Sequence, residues 1–143
     1  GIEEAIRILK SGKAFEKFIQ IVKAQNGNTD FISHPEKYPK SKFREVIKAN
    51  STGFLSEVNT YDLGMAAIDL GAGRKTKDDK IDPKAGIIFN CKIGDAINKG
   101  VVLAELFSDS KSGIDSAKKR IANAIKISKS KPQKPKLIKT IIN

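Results

Sequence analysis

Two glycines and two cations stand together in the run Gly71-Ala72-Gly73-Arg74-Lys75, which has the residue types of an anion site. Glycines let backbone N–H groups approach a phosphate closely, and an arginine can pair with it bidentately. A nucleotide-binding glycine loop follows a strand and opens a helix, whereas this run closes a predicted helix, where glycine acts as a cap. The pattern favours a capped, flexible loop, and contact with an anionic ligand is compatible with that structure.

Residues for nucleophilic catalysis are few. His34 is the single histidine and lies in the polar segment Ser33-His34-Pro35-Glu36, while the single cysteine, Cys91, lies in an apolar run. A Cys-His pair would require a strand interior to meet a surface linker. We predict instead that His34 is a solvated loop residue and that Cys91 is a small buried thiol, which cannot form an internal disulfide. A reducing cytoplasm is the expected setting.

Metal and cofactor sites have no matching residue spacing. Asp78, Asp79 and Asp82 lack the spacing of a calcium loop and lie among lysines, so a solvated loop is predicted. The segment 92–104 is similar to the Gly-Asp…Gly…Leu hairpin of biotinyl and lipoyl carriers, but Asp79-Lys80-Ile81, the nearest match to a modified lysine, precedes it. We therefore predict a tight turn there, and no catalytic, metal-binding or cofactor-binding residue in the chain.

The formal net charge of +11 raises the question of nucleic-acid binding. Nucleic-acid surfaces gather basic residues on one face, whereas here they are spread along the chain, with local density only at Lys118-Lys119-Arg120 and from Lys126 to Lys139. Nucleic acid is therefore not an expected partner. With 39% hydrophobic and 30% charged residues and no apolar run near the ~20 residues of a membrane span, a globular protein without a membrane segment is predicted.

Two helices are predicted at the start of the chain. Apolar residues recur at helical spacing from Ile2 to Leu9 and again from Phe15 to Val22, and each run ends at a glycine-containing stop. Residues 29–41 are rich in Pro, Lys, Asp and Ser and predict a linker. The expected division is a helical segment from the end of a catalytic α/β domain at 1–28, the linker at 29–41, and a C-terminal α+β domain at 42–143.

The hydrophobic period changes to two after the linker. Residues 43–49 and 54–58 are predicted to form a β-hairpin across Gly53, and a helix at 61–70 follows, with Thr60 as its N-cap and Gly71 as its end. The interior position of Gly64 predicts close packing of that helix against a strand.

The remaining elements predict a small α+β domain. Residues 86–91 are expected to form a buried strand and 101–107 another, on either side of a turn at Gly94-Asp95, before a helix at 114–127. A terminal strand is predicted from Leu137, Ile138, Ile141 and Ile142. The predicted class is α+β, with two N-terminal helices followed by a mixed or antiparallel sheet domain that has a barrel-sandwich-like hairpin and two packed helices.

Several motifs together resemble the C-terminal region of pyrimidine-nucleoside and thymidine phosphorylases. They are Ser11-Gly12-Lys13-Ala14 with Phe18, Gln25-Asn26-Gly27, Gly53, Leu70-Gly71-Ala72-Gly73-Arg74, Ile81-Asp82, Gly86, Gly94-Asp95 and Lys134-Pro135-Lys136-Leu137-Ile138. Their order and spacing make the resemblance specific over nearly the whole chain. One departure is Gln25-Asn26-Gly27, where the family commonly has Gln-Gly-Gly.

The resemblance implies a homodimeric parent enzyme that splits thymidine, uridine or deoxyuridine with phosphate into the free base and a pentose 1-phosphate. In that family the phosphate-binding loop and the base-binding residues lie in the first half of the protein, and none of those motifs matches a position here. The chain is therefore expected to be inactive without the missing N-terminal catalytic domains. Residues 71–80, with Gly71, Gly73, Arg74 and Lys75, are a candidate active-site lid.

A free-standing barrel-sandwich-like adaptor or a basic RNA-binding module is the competing hypothesis. The adaptor gene would begin near Gly1, and RNA affinity would fall steeply with salt. The phosphorylase hypothesis has its own physical consequence, because the stripe of Phe15, Phe18, Ile19 and Val22 would lack its partner domain. Self-association of the fragment through its first two helices is then expected.

Overall fold

The computed structural model describes residues 1–133, 136 and 138–142, and the chain divides into two units, Gly1–Pro39 and Lys40–Asn143. The first unit is helical because its apolar residues recur at helical spacing. The second combines strands and helices because its hydrophobic period changes several times along the chain. The predicted α+β class is confirmed, and the more specific division at 1–28, 29–41 and 42–143 stays a prediction.

The helical unit begins with α1 (Ile2–Lys10) and α2 (Lys13–Ala24), as predicted. They meet at a tight corner where Gly12 has a φ of 80°, which glycine adopts without steric cost. The segment predicted as a linker contains a short α3 (Asp30–Ser33) and a 3-10 helix (Pro35–Lys37). The rings of Phe31 and Tyr38 pack edge to face across this segment, with their centroids 5.3 Å apart.

Apolar side chains of α1 and α2 are exposed to solvent. Leu9 is 69% exposed, and Phe15 and Phe18 are 53% and 50% exposed. Ile19 and Val22, which belong to the same predicted stripe, are half-buried. Neither helix contains a buried residue, so this face is available for packing against another surface.

The described residues of the second unit form six strands and two helices. The strands are β1 (Phe43–Lys48), β2 (Gly53–Val58), β3 (Gly86–Phe89), β4 (Ala96–Ile97), β5 (Val102–Ser108) and β6 (Ile125–Ser128). The helices are α4 (Thr60–Leu70) and α5 (Lys111–Ala124). The strands form two three-stranded antiparallel sheets with the orders β1-β5-β3 and β4-β2-β6.

The predicted hairpin between β1 and β2 is wrong. β1 pairs with β5, with Phe43 opposite Ser108, whereas β2 pairs with β4 and β6 in the other sheet. The strand at 86–89 does pair with β5, beyond the predicted turn at Gly94-Asp95. Local alternation determines which residues form a strand, but it does not determine which strand each one meets.

Buried apolar residues among the described positions form two hydrophobic clusters. The larger one lies where α4, α5 and β5 pack together and contains Ala66, Leu70, Leu106, Ile114, Ala117 and Ile121. The smaller one contains Ala49, Leu55, Ile97 and Leu103. β5 contributes a residue to each cluster and is the central strand of its sheet. It is therefore the buried strand, whereas β3, predicted to be buried, is an edge strand with Ile88 half exposed.

Two predictions about α4 are wrong in detail. Its N-cap is Asn59 rather than Thr60, because the Asn59 side chain accepts the Asp62 N–H at 3.2 Å. Gly64 does not pack against a strand, since a Cβ placed there would meet nothing within 4 Å. The predicted end of the helix is confirmed, because Gly71 has a φ of 102°.

The last helix is shorter than predicted. α5 ends at Ala124, and the alternating run Ile125–Ser128 forms β6 because it pairs with the edge of β2. Of the predicted terminal strand, residues 138–142 contain no strand, and Leu137 lies outside the described residues. The motif Lys134-Pro135-Lys136-Leu137-Ile138 likewise includes three positions outside them.

Candidate functional site

The loop that follows α4 is fixed where it leaves the helix. The hydroxyl of fully buried Ser108 donates to the Leu70 carbonyl at 2.6 Å, which ties the end of α4 to β5. The N–H of Asp82 donates to the Gly71 carbonyl at 2.9 Å and closes the loop at its base. Gly73 lies so close to the helix that a Cβ there would be 2.8 Å from Ile68 Cγ1. The glycines that predicted a cap therefore also permit close packing.

Asp69 is the charged residue on which the loop converges. Its side chain is only 7% exposed, and its carboxylate lies 2.8 Å from Lys75 Nζ and 3.0 Å from Arg120 Nε. Burial raises the pKa of Asp69, but the hydrogen bonds and charges of Lys75 and Arg120 together outweigh burial, so the pKa lies below its ordinary value. Asp69 thus connects α4 to the loop and to α5 as a carboxylate.

A second carboxylate organises the loop from within. Asp79 accepts the N–H groups of Lys75 and Thr76 at 2.8 and 3.0 Å and the Thr76 hydroxyl at 2.7 Å. The Thr76 hydroxyl, followed by these backbone N–H groups, lowers the pKa of Asp79. Asp79 is therefore engaged in a local turn, and its oxygens already have partners in the loop.

The four candidate lid residues have different surroundings. Gly71 is the C-cap of α4, Gly73 packs against Ile68 of that helix, and Lys75 pairs with Asp69. Arg74 is exposed, and no residue of the described ranges forms a hydrogen bond or ion pair with its side chain. The loop therefore presents one free guanidinium between two fixed residues.

A polar groove of about 440 Å³ lies beside this cluster, between α4 and α5. Its lining residues are Asp62, Asp69, Ser116, Lys119, Arg120 and Asn123. Arg120 contacts both aspartates, at 3.6 Å from Asp62 and 3.0 Å from Asp69. The charges that line the groove therefore largely neutralise each other.

Ion pairs also occupy much of the local basic cluster seen in the sequence. Lys118 lies 3.2 Å from Glu45, and Lys111 approaches the same carboxylate at 3.3 Å. The hydrogen bonds from Lys118 and then Lys111 lower the pKa of Glu45. The run Lys118-Lys119-Arg120 therefore contributes two of its three cations to internal pairing rather than to an open basic surface.

The two remaining candidate residues, His34 and Cys91, each have their own surroundings. His34 is exposed and lies 3.4 Å from the Glu36 carboxylate. Cys91 is half-buried, with its thiol 3.8 Å from the Leu103 carbonyl, and burial followed by the charge of Asp95 raises its pKa. A raised pKa keeps the thiol protonated and therefore weakly nucleophilic.

Within residues 1–133, 136 and 138–142, no three His, Cys, Asp or Glu side chains are placed to hold a metal ion together. Asp82 instead accepts the N–H of Lys84 at 3.0 Å. The helices of the same ranges include none that is both long and apolar enough to cross a membrane.

Sequence reasoning did not identify the loop anchor. The local pattern presents Arg120 only as part of the basic run Lys118-Lys119-Arg120 and gives Asp69 no special position. The available signal is that Asp69 directly precedes the buried Leu70 at a helix end, where a carboxylate requires a cationic partner. The pattern does not reveal that this partner is Arg120 on a distant helix.

Stability at low pH should depend in part on Asp69. Its folded pKa lies below the ordinary value of about 3.9, so its stabilising contribution is complete above that pH and is lost as pH falls through the folded pKa. Asp69→Asn is expected to lower the free energy of unfolding at neutral pH by about 1–3 kcal/mol. It should also reduce the slope of stability against pH below about pH 4. Urea unfolding at several pH values measures both effects.

Glu57→Gln is the matched control, because Glu57 forms an exposed pair with Lys126 and should change stability by less than about 1 kcal/mol. Glu45, Asp79 and Asp109 also have lowered pKa values, so part of the acid sensitivity will persist in Asp69→Asn. If the slope of stability against pH is unchanged in Asp69→Asn, Asp69 does not contribute to acid sensitivity and the prediction is contradicted.

The fold and this loop define the class of protein as a small α+β domain of two antiparallel sheets whose polar loop is anchored between two helices. The sequence profile described as "Pyrimidine nucleoside phosphorylase C-terminal domain" matches residues 54–128, slightly more than half of the 143 residues. The chain belongs to this family. The matched segment contains α4, the loop and α5, and therefore the whole Asp69 cluster.

Two relatives extend the similarity along the chain. The pyrimidine-nucleoside phosphorylase of Bacillus subtilis (strain 168) is 36% identical over 135 residues, which are 94% of this chain and 31% of the relative. The pyrimidine-nucleoside phosphorylase of Staphylococcus aureus (strain USA300) is 38% identical over 130 residues, which are 88% of this chain and 30% of the relative. The chain thus spans somewhat less than a third of the relatives' length.

Proposed function

We propose that the chain is the C-terminal part of a pyrimidine-nucleoside phosphorylase. The parent enzyme would split thymidine, uridine or deoxyuridine with phosphate into the free base and a pentose 1-phosphate. The observation that carries this proposal is the identity of 36% across 94% of the chain with a relative of that name. We also propose a homodimeric, cytoplasmic parent.

We propose that the 143 residues are inactive alone. Phosphorolysis requires fixed donors for the phosphate nucleophile and stabilisation of both a cationic sugar and a departing pyrimidine anion. The groove beside the loop supports inactivity, because Arg120 is already paired with Asp62 and Asp69 and the mutually neutralised charges do not form a phosphate cradle. The catalytic groups would come from the part of the enzyme that the chain does not span.

Two regions of the chain would contact the catalytic part of the parent enzyme. The exposed apolar face of α1 and α2, with Leu9, Phe15 and Phe18, would pack onto the catalytic α/β domain, which explains why a water-exposed surface carries large apolar side chains. The loop at 71–80 would lie over the cleft, with Arg74 as the side chain free to meet a substrate or its phosphate.

Phosphate-dependent release of thymine from thymidine tests the proposal. We expect activity in the protein expressed from the intact gene and none in the 143-residue chain, because none of the family's phosphate-binding motifs matches a position in the chain. Activity in neither protein would favour the adaptor or RNA-binding hypotheses. Activity in the 143-residue chain would contradict the proposal that this chain is inactive alone.

The lid role is tested in the same assay with Arg74→Ala in the longer protein. We expect kcat/KM to fall about tenfold or more, since the variant lacks the guanidinium that would meet the substrate or its phosphate. Lys129→Ala is the matched control, because Lys129 is an exposed cation outside the loop. Unchanged kinetic constants in Arg74→Ala would eliminate the lid role.

A further inference from the structure

The composition of residues 71–80 predicts a flexible loop, yet the structure holds this loop at several points. Gly73 packs against Ile68, Lys75 reaches Asp69, and Asp79 gathers the N–H groups of Lys75 and Thr76. Each contact involves a different part of the loop, so these contacts hold the segment along much of its length.

We propose that Asp69 is a positioning residue that holds the loop in one conformation through Lys75. The proposal rests on the proposed function, because the ligand to which the loop would be presented belongs to the parent enzyme. The ordering of the loop itself is a property of this chain.

Asp69 is suited to this role because its own position is already determined. It lies on α4 next to Leu70, which is 2% exposed, and Arg120 on α5 holds its carboxylate from the other side. Asp69 is nearly buried, so its charge is screened less by salt than that of a surface carboxylate, whereas Lys75 is exposed.

The consequence falls on Arg74, which lies between two fixed neighbours. The backbone before it is constrained because Gly73 packs on Ile68, and the backbone after it is constrained because the Lys75 N–H donates to Asp79. Its guanidinium has no hydrogen-bonding or ionic partner in the part of the chain that the structure describes. The loop thus presents one cation at a defined position, and little further conformational entropy of the loop is lost when that cation binds a ligand.

Limited trypsin digestion of the 143-residue chain separates this role from general stability. Lys75→Gln and Lys77→Gln each remove one cleavage site from the loop, but only Lys75 contacts Asp69. Cleavage after Lys80, whose flanking residues 78–82 are the same in both variants, is followed by mass spectrometry. We expect it to be about two- to fivefold faster in Lys75→Gln than in Lys77→Gln. Equal rates would overturn the proposal.

Asp69→Asn should accelerate the same cleavage at least as much as Lys75→Gln. If Asp69→Asn fails to fold, Lys75→Gln still decides the question, because it leaves the pair of Asp69 with Arg120 intact. Melting temperatures of Lys75→Gln and Lys77→Gln should agree, since both side chains are on the surface. If Lys75→Gln lowers the melting temperature enough to explain the faster cleavage, the contact of Asp69 with Lys75 contributes only to general stability, and the positioning role is contradicted.

Kinetics of the longer protein test the functional consequence. Lys75→Gln is expected to lower kcat/KM for phosphate-dependent thymine release about two- to fivefold, and Lys129→Gln to leave it unchanged. Faster trypsin cleavage combined with unchanged kcat/KM would overturn the role of the loop in catalysis. Absence of activity in the unmodified longer protein would count against the proposed function, whereas the trypsin comparison would still decide whether Asp69 positions the loop.

Discussion

Leu106→Ala is expected to lower the free energy of unfolding by about 2–5 kcal/mol, a large part of the stability of a small domain. Leu106 lies on the central strand β5, is 0% exposed, and packs in the cluster with Leu70 and Ile121. The truncation removes buried apolar surface and leaves a cavity among a helix pair and a sheet, which cannot all move inward together. Urea unfolding followed by circular dichroism measures the loss.

Ile88→Ala is the control for this experiment. Ile88 lies on β3, pairs in register with Glu105 next to Leu106, and is 52% exposed. Because much of its side chain already contacts water, its truncation should cost less than about 1 kcal/mol. Equal losses in the two variants would show that β5 is not the centre of the core.

Gly113→Ala is expected to destabilise the protein by about 1–3 kcal/mol, although alanine normally favours helices. Gly113 is buried in the first turn of α5, and a Cβ there would lie 2.5 Å from the Asp69 carbonyl oxygen. That obstacle is the backbone of α4, so relief requires the two helices to separate. Separation would also weaken the contact of Arg120 with Asp69.

Gly64→Ala is the matched control, since it is the same substitution in the interior of a helix. A Cβ at Gly64 meets nothing within 4 Å, so this change is expected to stabilise the protein by about 0.5–1 kcal/mol. Thermal unfolding of the two variants should shift the melting temperature in opposite directions. Stabilisation by both substitutions would contradict the close approach of α4 and α5.

These glycines connect the core to the proposed site. The close approach at Gly113 lets Asp69 on α4 and Arg120 on α5 meet, and their pairing provides the anchor that Lys75 uses. A variant that separates the helices should therefore loosen the loop as well as the fold. Loss of stability and loss of loop order are expected together in Gly113→Ala, and loss of loop order alone in Lys75→Gln.

The location of most elements could be predicted from local sequence. The apolar periodicity predicts α1, α2 and most of α4. Gly71 predicts the end of α4, because glycine readily adopts the positive φ, here 102°, that ends many helices. The pattern does not predict the end of α5 at Ala124, because residues 114–127 continue an apolar spacing that a helix also satisfies. Ile125–Ser128 becomes a strand since β2 offers it an unpaired edge.

The sequence by itself determined the helix and strand segments, the capped polar loop and the resemblance to the phosphorylase family, because each depends on residues that are neighbours along the chain. Only the tertiary structure decided that β1 pairs with β5 rather than β2, that Gly64 is exposed while Gly113 is in close contact, and that Asp69 meets both Lys75 and Arg120. These features depend on contacts between distant segments, and periodicity carries no information about which distant segment will supply the partner.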